Sequence, residues 1–373
     1  MVGIDIRFMS ENMRNGIISS GVGLFCADVL DGISKNNQQK HFCLIIDQFQ
    51  KKMVKERFDG YPVLISNNVH RKGVQKVLYF LDNIRYNLLL KRKGIDVVWY
   101  PFASPNTFRF LFIPSISTIH DLIPLHENPK SFYWRCGFNI ILLLSRKVVT
   151  DTNYIKNDIL NNFSGIKKTK IKVIPCPITV NMNILEPVSQ LEGKKYILDV
   201  NAFQERKNAV TLLNAYIKSN LMKECDLVFC GGYNENGYLE QLEKKVDKLG
   251  LNDKVHFYLS LPVSQKDWLI KNAKILVSPS SSEGFGKTPI EALMMRVPVI
   301  TSSVEPFSET TKGYAIFYNG VYNEDDLSKK LVNIFFNPPS IDARKDISDD
   351  LKKSYNFSKI SKQYMKIFKK WMR

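Results

Sequence analysis

Short β-branched runs alternate with helix-period segments along almost the whole of this chain, and that rhythm admits few folds. Strand–helix–strand order calls for parallel strands with helical crossovers, because parallel neighbours cannot be joined by a tight turn. In the first half the runs Gly3–Phe8, Phe42–Ile46, Val97–Tyr100, Ile116–Ile119, Lys147–Thr150 and Lys172–Ile174 are predicted as strands. A polar stretch around Pro187–Gly193 interrupts the pattern, which restarts with Lys195–Asp199, Asp226–Cys230, Val255–Tyr258, Ile275–Val277 and Pro298–Thr301. Two successive doubly wound α/β units account for this order, and 373 residues suffice for two domains of ordinary size. A last helical segment carries Phe357, Ile360, Tyr364, Ile367, Phe368 and Trp371 at helical spacing, with lysines mostly on other faces. It is expected to return to the first domain; an ordinary surface helix is the alternative.

Composition excludes several classes. Hydrophobic residues at 44% and charged residues at 24% fit a globular chain and not a disordered one. The opening Met1–Arg7 alternates like a buried strand, with no apolar core and cleavage site of a secretory signal. The run Ile140–Leu144 is far short of the ~20 residues a membrane span needs. Six cysteines lack metal-ligand spacing and are expected as buried thiols in a reducing compartment, which predicts a cytoplasmic protein without a structural metal.

The net charge of +17 is unevenly placed. Residues 1–185 hold 25 Lys and Arg against 13 Asp and Glu, residues 186–350 hold 20 against 23, and residues 351–373 hold 8 against none. Such a field suits an anionic membrane surface or nucleic acid. No aromatic-basic recognition motif accompanies it, so nucleic acid is not the expected partner. Residues 70–93 form a candidate membrane helix, with Val74, Val77, Leu78, Leu81, Ile84 and Leu88 on one stripe amid basic residues; a core-facing stripe is the alternative.

Chemistry in open α/β sheets is expected beyond the carboxyl ends of strands, where helix N-termini present unpaired N–H groups. Four places stand out. Ser280–Leu293 holds Glu283 in a glycine loop, with Thr288 expected as helix N-cap and Pro289 as the first helical residue. Glu291 there either binds a ligand or completes a capping box with Thr288. A carboxylate such as Glu283 can accept two sugar hydroxyls and caps nothing evident. Arg206 and Lys207 stand at the start of a helix, where cations oppose the dipole unless an anion binds; solvated surface charges are the alternative. His120 lies directly after a strand. Gly21-Val22-Gly23 opens a helix, but Cys26 occupies the place of the third glycine in a dinucleotide fingerprint, so NAD binding is not supported.

In combination and order these motifs resemble family 4 of the retaining GT-B glycosyltransferases, over nearly the whole chain. The resemblance rests on Gly21–Gly23, His120-Asp121-Leu122-Ile123-Pro124, Val149–Tyr154, Arg206-Lys207-Asn208, Cys230-Gly231-Gly232, and Glu283 with Glu291 eight residues on. It implies two Rossmann-like domains facing a central cleft: residues 1–185 with the returning helix 355–373, and a nucleotide-sugar-binding domain of residues 186–354. It further implies that His120 and Glu283 act at the donor sugar and that Glu291 takes the ribose hydroxyls. By the same resemblance Gly21, Gly23, Gly232 and the backbone of Phe285, Gly286, Lys287 and Thr288 line the sugar and diphosphate. Arg206 and Lys207 take the diphosphate charge, with no metal and no cofactor beyond the nucleotide-sugar substrate. Many relatives carry a further arginine near Asn201, which this chain lacks. The implied activity is retaining transfer of a hexose to a growing, lipid-linked surface polysaccharide of O-antigen or capsule type. It would occur in the cytoplasm, at the inner face of the membrane. The alternatives are a GT-B epimerase or sugar phosphorylase, or a non-catalytic nucleotide-sugar- or nucleic-acid-binding protein.

Overall fold

The structure is a computed structural model; it describes residues 1–10, 13–14, 17–18, 21–66, 76–180, 182 and 184–372. The chain forms two compact units, Met1–Pro177 with Asn356–Arg373, and Ile178–Tyr355. The sequence expectation put these divisions at 185/186 and 354/355.

In the first unit the strands are β1 (Val2–Asp5), β2 (Phe42–Ile46), β3 (Val63–Ile65), β4 (Val97–Tyr100), β5 (Ser115–Ile119), β6 (Ser145–Thr150) and β7 (Ile171–Val173). They make one parallel sheet in the order β3-β2-β1-β4-β5-β6-β7. In the second unit β8 (Tyr196–Val200), β9 (Asp226–Gly231), β10 (Val255–Leu259), β11 (Ile275–Ser278), β12 (Val299–Ser302) and β13 (Ile316–Tyr318) pair in parallel as β10-β9-β8-β11-β12-β13. Both orders reverse direction beside the first strand of their unit, the doubly wound arrangement that opens a ligand crevice at the carboxyl ends.

Strands β3 and β13 are additions to the sequence reading. Each is three residues long and lies at a sheet edge, too short for its periodicity to stand out. The first strand ends at Asp5 and not at Phe8, because Arg7–Ser10 turns into a short 3₁₀ segment. The central strands are buried on both faces, as the unbroken burial of Phe42–Ile46 and Asp226–Gly231 shows.

The C-terminal helix, Phe357–Phe368, packs on the Gly21–Lys35 helix of the first unit. Ile360, Tyr364 and Phe368 are fully buried, and Tyr364 and Phe368 lie against Trp99 with ring centroids 5.0 and 5.4 Å away. The contact is close because position 32 is glycine: a Cβ there would sit 1.9 Å from Ser361 Oγ. The expectation of an ordinary surface helix is thereby excluded.

Among the described residues no helix is long and apolar enough to cross a membrane. Of the candidate membrane stripe, Val74 lies outside the described residues, as do the side chains of Val77, Leu78 and Leu81. In the described part of that helix Tyr86 and Leu90 are buried, Ile84 is half-buried and Leu88 is exposed.

Candidate functional site

The second unit carries its unusual groups on the loops after β8 and β11. The loop Pro279–Gly286 leads into the helix Lys287–Met294, whose N-cap is Gly286 at φ 74°. Glycine is required twice over at this point, since a Cβ on Gly286 would also lie 2.5 Å from the ring of Phe307. The expected cap at Thr288 is therefore corrected: the helix starts at Lys287, Pro289 falls inside its first turn, and no side chain caps it. The first turn of a helix directs its backbone N–H groups outward along the axis, the arrangement that suits an anion. Phe285 turns its ring inward against Tyr355, so the backbone is what it offers to the loop surface.

Glu291 is no capping residue either. Its Oε2 accepts from Lys266 Nζ at 3.2 Å, and Lys266 also pairs with Asp267 at 3.1 Å. Burial works against ionisation of Glu291, yet Lys266 and Lys287 hold its carboxyl below the usual range. Glu283 likewise has structural partners that the sequence did not disclose. Its Oε1 accepts from Lys207 Nζ at 2.5 Å and from Ser280 Oγ at 2.8 Å. Burial opposes its charge, but Lys207 and then Arg206 bring the carboxyl below its ordinary value.

Arg206 and Lys207 form a 3₁₀ turn ahead of the helix Ala209–Lys218, which begins two residues later than expected. Asn208 makes this turn possible. It adopts φ 58°, a conformation asparagine tolerates, and its side-chain amide donates to the carbonyls of Pro279 and Val321. The turn is thus fastened to the loop after β11, where Ser281 N donates to Arg206 O and Arg206 Nη1 donates to Ser282 O. Lys207 is explained by the Glu283 carboxylate; Arg206, half-buried at the rim, is the cation available to an incoming anion.

Asp199, missed in the sequence, lies at the end of β8 within this cluster. Burial pushes its carboxyl up to about 7, against the Asn201 hydrogen bond and Lys207, with Glu283 adding to the rise. One lysine thus faces two buried acids, and Glu283 keeps the charge while Asp199 holds its proton more tightly. Gly231 was also undervalued: a Cβ there would lie 2.3 Å from Asn201 O, whereas Gly232 has open space around it.

The first unit holds His120 at the end of β5. Its Nδ1 donates to Asp151 Oδ2 at 2.5 Å and its Nε2 to Pro101 O at 2.8 Å. Pro101 O can only accept, so Nε2 carries a proton, and the other proton lies in the Nδ1–Asp151 hydrogen bond. Burial favours the neutral form, but Asp151 and Pro101 raise the pKa above the ordinary histidine value. Phe25 meets the ring edge-on at 4.8 Å. Among the described residues His120, Asp151 and Cys176 place potential ligand atoms within 4.8 Å of one another. In this arrangement both ring nitrogens are engaged by Asp151 and Pro101, so the group is a buried hydrogen-bonded pair beside a thiol. Gly21 and Gly23 lie within the first turn of the helix Gly21–Lys35, which they open.

The two halves match two family models that together span most of the chain. Residues 21–181 match Glycosyltransferase Family 4 and residues 183–353 match Glycosyl transferases group 1. The architecture is that of a GT-B glycosyltransferase, and the chain belongs to glycosyltransferase family 4. It is 30% identical over 284 residues to the O-antigen chain mannosyltransferase RfbU of Salmonella typhimurium, covering 69% of this chain and 77% of that one. It is 27% identical over 332 residues to the alpha-1,3/1,6-mannosyltransferase ALG2 of Dictyostelium discoideum, covering 71% and 79%. The solved structure of Anabaena HepE in complex with UDP-glucose shares the fold, with a TM-score of 0.74 at 14% identity over 99% of each chain.

Proposed function

We propose that this glycosyltransferase takes a hexose, mannose first among candidates, from a nucleoside diphosphate sugar and adds it with retention to a growing lipid-linked polysaccharide of O-antigen or capsule type. The observation that carries the donor reading is the cluster after β8 and β11: Arg206 at the rim, the ionised Glu283 held by Lys207, and an uncapped helix start at Gly286. A cation beside a helix N-terminus suits a diphosphate, and a buried ionised carboxylate suits sugar hydroxyls. Glu291, kept charged by Lys266, is assigned to the ribose hydroxyls, and Gly232, Lys287 and Thr288 to the donor's surroundings. The mannosyl and O-antigen parts are supported by RfbU and ALG2.

In this reading the bond between the anomeric carbon and the β-phosphate oxygen breaks as the acceptor oxygen attacks the same face. The departing phosphate takes the acceptor's proton, and Arg206 with Lys207 balances its charge without a metal. His120, held by Asp151 and Pro101 with a raised affinity for its proton, is assigned to the surroundings of the donor sugar as a fixed positive or proton-rich group. The reaction is placed in the cytoplasm, next to the membrane that carries the acceptor.

A thermal-shift screen of GDP-, UDP- and ADP-sugars, followed by transfer assays with and without EDTA, tests the proposal. Stabilisation by one donor and an EDTA-insensitive product with the donor's anomeric configuration are expected. An inverted product, dependence on free phosphate, or sugar-nucleotide turnover without acceptor would reject it.

A further inference from the structure

The first unit holds 31 Lys and Arg against 13 Asp and Glu, a net of +18, while the second has 22 against 23. Among the described residues large exposed apolar side chains number ten in each unit, but only in the first do they cluster on one helix. The helix Phe132–Leu144 leaves Phe132, Tyr133, Ile140, Leu143 and Leu144 exposed, whereas each helix of the second unit leaves at most one large apolar residue so. At 100° per residue these five span an arc of about 120°, opposite the buried Phe138, Ile141 and Leu142.

That face extends beyond one helix. Tyr133 OH donates to Asn106 Oδ1, and a Cβ on Gly137 would lie 2.5 Å from Pro105, so the segment after β4 lies against the helix. This segment exposes Phe110 and Phe112, and Phe112 N donates to Asn87 Oδ1, beside the exposed Leu88.

At the other end the helix runs into Arg146 and Lys147, and Lys170 Nζ donates to Leu143 O. There begins a groove of about 1030 Å³ between the β6–β7 edge and the C-terminal helix. Arg146, Lys147 and Lys172 line one wall; Lys359, Lys362 and Lys366 line the other, with Trp371 at the end. No acidic side chain lines it.

We propose that this side of the first unit, with the helix Phe132–Leu144 as its apolar ridge and the lysine groove as its rim, docks on an anionic phospholipid leaflet. Thirteen residues reach about 20 Å, too short to cross a bilayer and suited to lying in its interface. The ridge enters the headgroup–acyl boundary while the basic groove holds the lipid phosphates, the two attractions that stable interfacial binding combines. A second protein copy would not be drawn to a face so strongly charged with its own sign.

The assignment deepens the reading of a membrane-borne acceptor and rests on it for its purpose. Binding is therefore measured without donor or acceptor, so that either can fail alone. The full chain is cosedimented with phosphatidylcholine vesicles, with and without phosphatidylglycerol, at low and high salt. Salt-sensitive binding to the anionic vesicles is expected. The double variants I140D/L143D and K362E/K366E should each weaken it about tenfold or more at unchanged melting temperature. Phe336→Asp, on the second unit, should leave it intact. Absence of binding at low salt, or binding that survives both double variants, overturns the proposal. So does a wild-type dimer in sedimentation velocity that I140D/L143D abolishes, since the ridge would then be a contact between copies.

Discussion

The ammonium of Lys207 lies 2.5 Å from Oε1 of Glu283, with both side chains buried and their positions 76 apart in the chain. The pair ties the turn after β8 to the loop after β11 and keeps a carboxylate ionised where water is scarce. Removing one partner strands the other.

Lys207→Met should destabilise the protein by about 3–5 kcal/mol, the usual result of leaving a buried charge unpaired. Urea unfolding checks this. The wild-type contribution is present above the unfolded carboxylate value of about 4.3 and is lost as pH falls through the depressed folded value. The variant should therefore lack that acid-limb loss. Glu283→Gln should reduce turnover more than donor affinity; equal effects would argue against a contact at the sugar.

Glu291→Gln should weaken donor binding by about 1.5–3 kcal/mol, one to two orders of magnitude. Lys266→Met supplies the sharper test. With its partner gone, the buried Glu291 carboxyl should rise, so calorimetric affinity for the donor nucleotide should fall as pH is lowered from 8 to 6. Wild type, with a depressed Glu291, should stay flat over that range. A flat profile in both would dissociate Lys266 from the carboxylate's charge.

Asp199 titrates near 7 in the folded chain and near 3.8 in the unfolded one. A raised acid binds its proton more tightly when folded, so its effect on stability declines as pH rises from about 4 to 7 and is fully unfavourable above. Asp199→Asn should flatten that decline and be more stable than wild type at pH 8, by at most about 4 kcal/mol on linkage grounds. Chemical unfolding at pH 5 and pH 8 distinguishes this from a variant that merely loses the Asn201 hydrogen bond, which would be weakened equally at both.

The glycines separate packing from binding. Gly286→Ala combines a left-handed backbone with a collision against Phe307 and should cost about 2–5 kcal/mol. Gly232→Ala meets nothing and should change stability by less than about 0.5 kcal/mol. A loss of donor affinity in Gly232→Ala at unchanged melting temperature would then report a ligand at that backbone.

The parallel sheets were legible because their central strands are apolar or β-branched runs buried on both faces, which leaves a plain mark in the sequence. The three-residue edges β3 and β13 were not read. In the site, Glu283, Arg206 and Lys207 could be picked out as oddities of placement. What bound them could not: Lys207 meets Glu283 and Lys266 meets Glu291 only through tertiary folding, and spacing says nothing about contacts 76 or 25 residues apart. Asp199 was hidden for the opposite reason, as an acid ending an apolar strand looks like the start of any polar loop. The cap at Thr288 failed because Gly286, free to adopt a positive φ, starts the helix two residues earlier.

The Gly32–Ser361 contact joins segments on either side of the whole second unit. During synthesis Phe25, Phe42 and Trp99 therefore leave the ribosome long before Tyr364 and Phe368, the rings that cover them. The first unit waits, with an apolar face open, while the second unit is being made. Its final closure records that everything between has been translated.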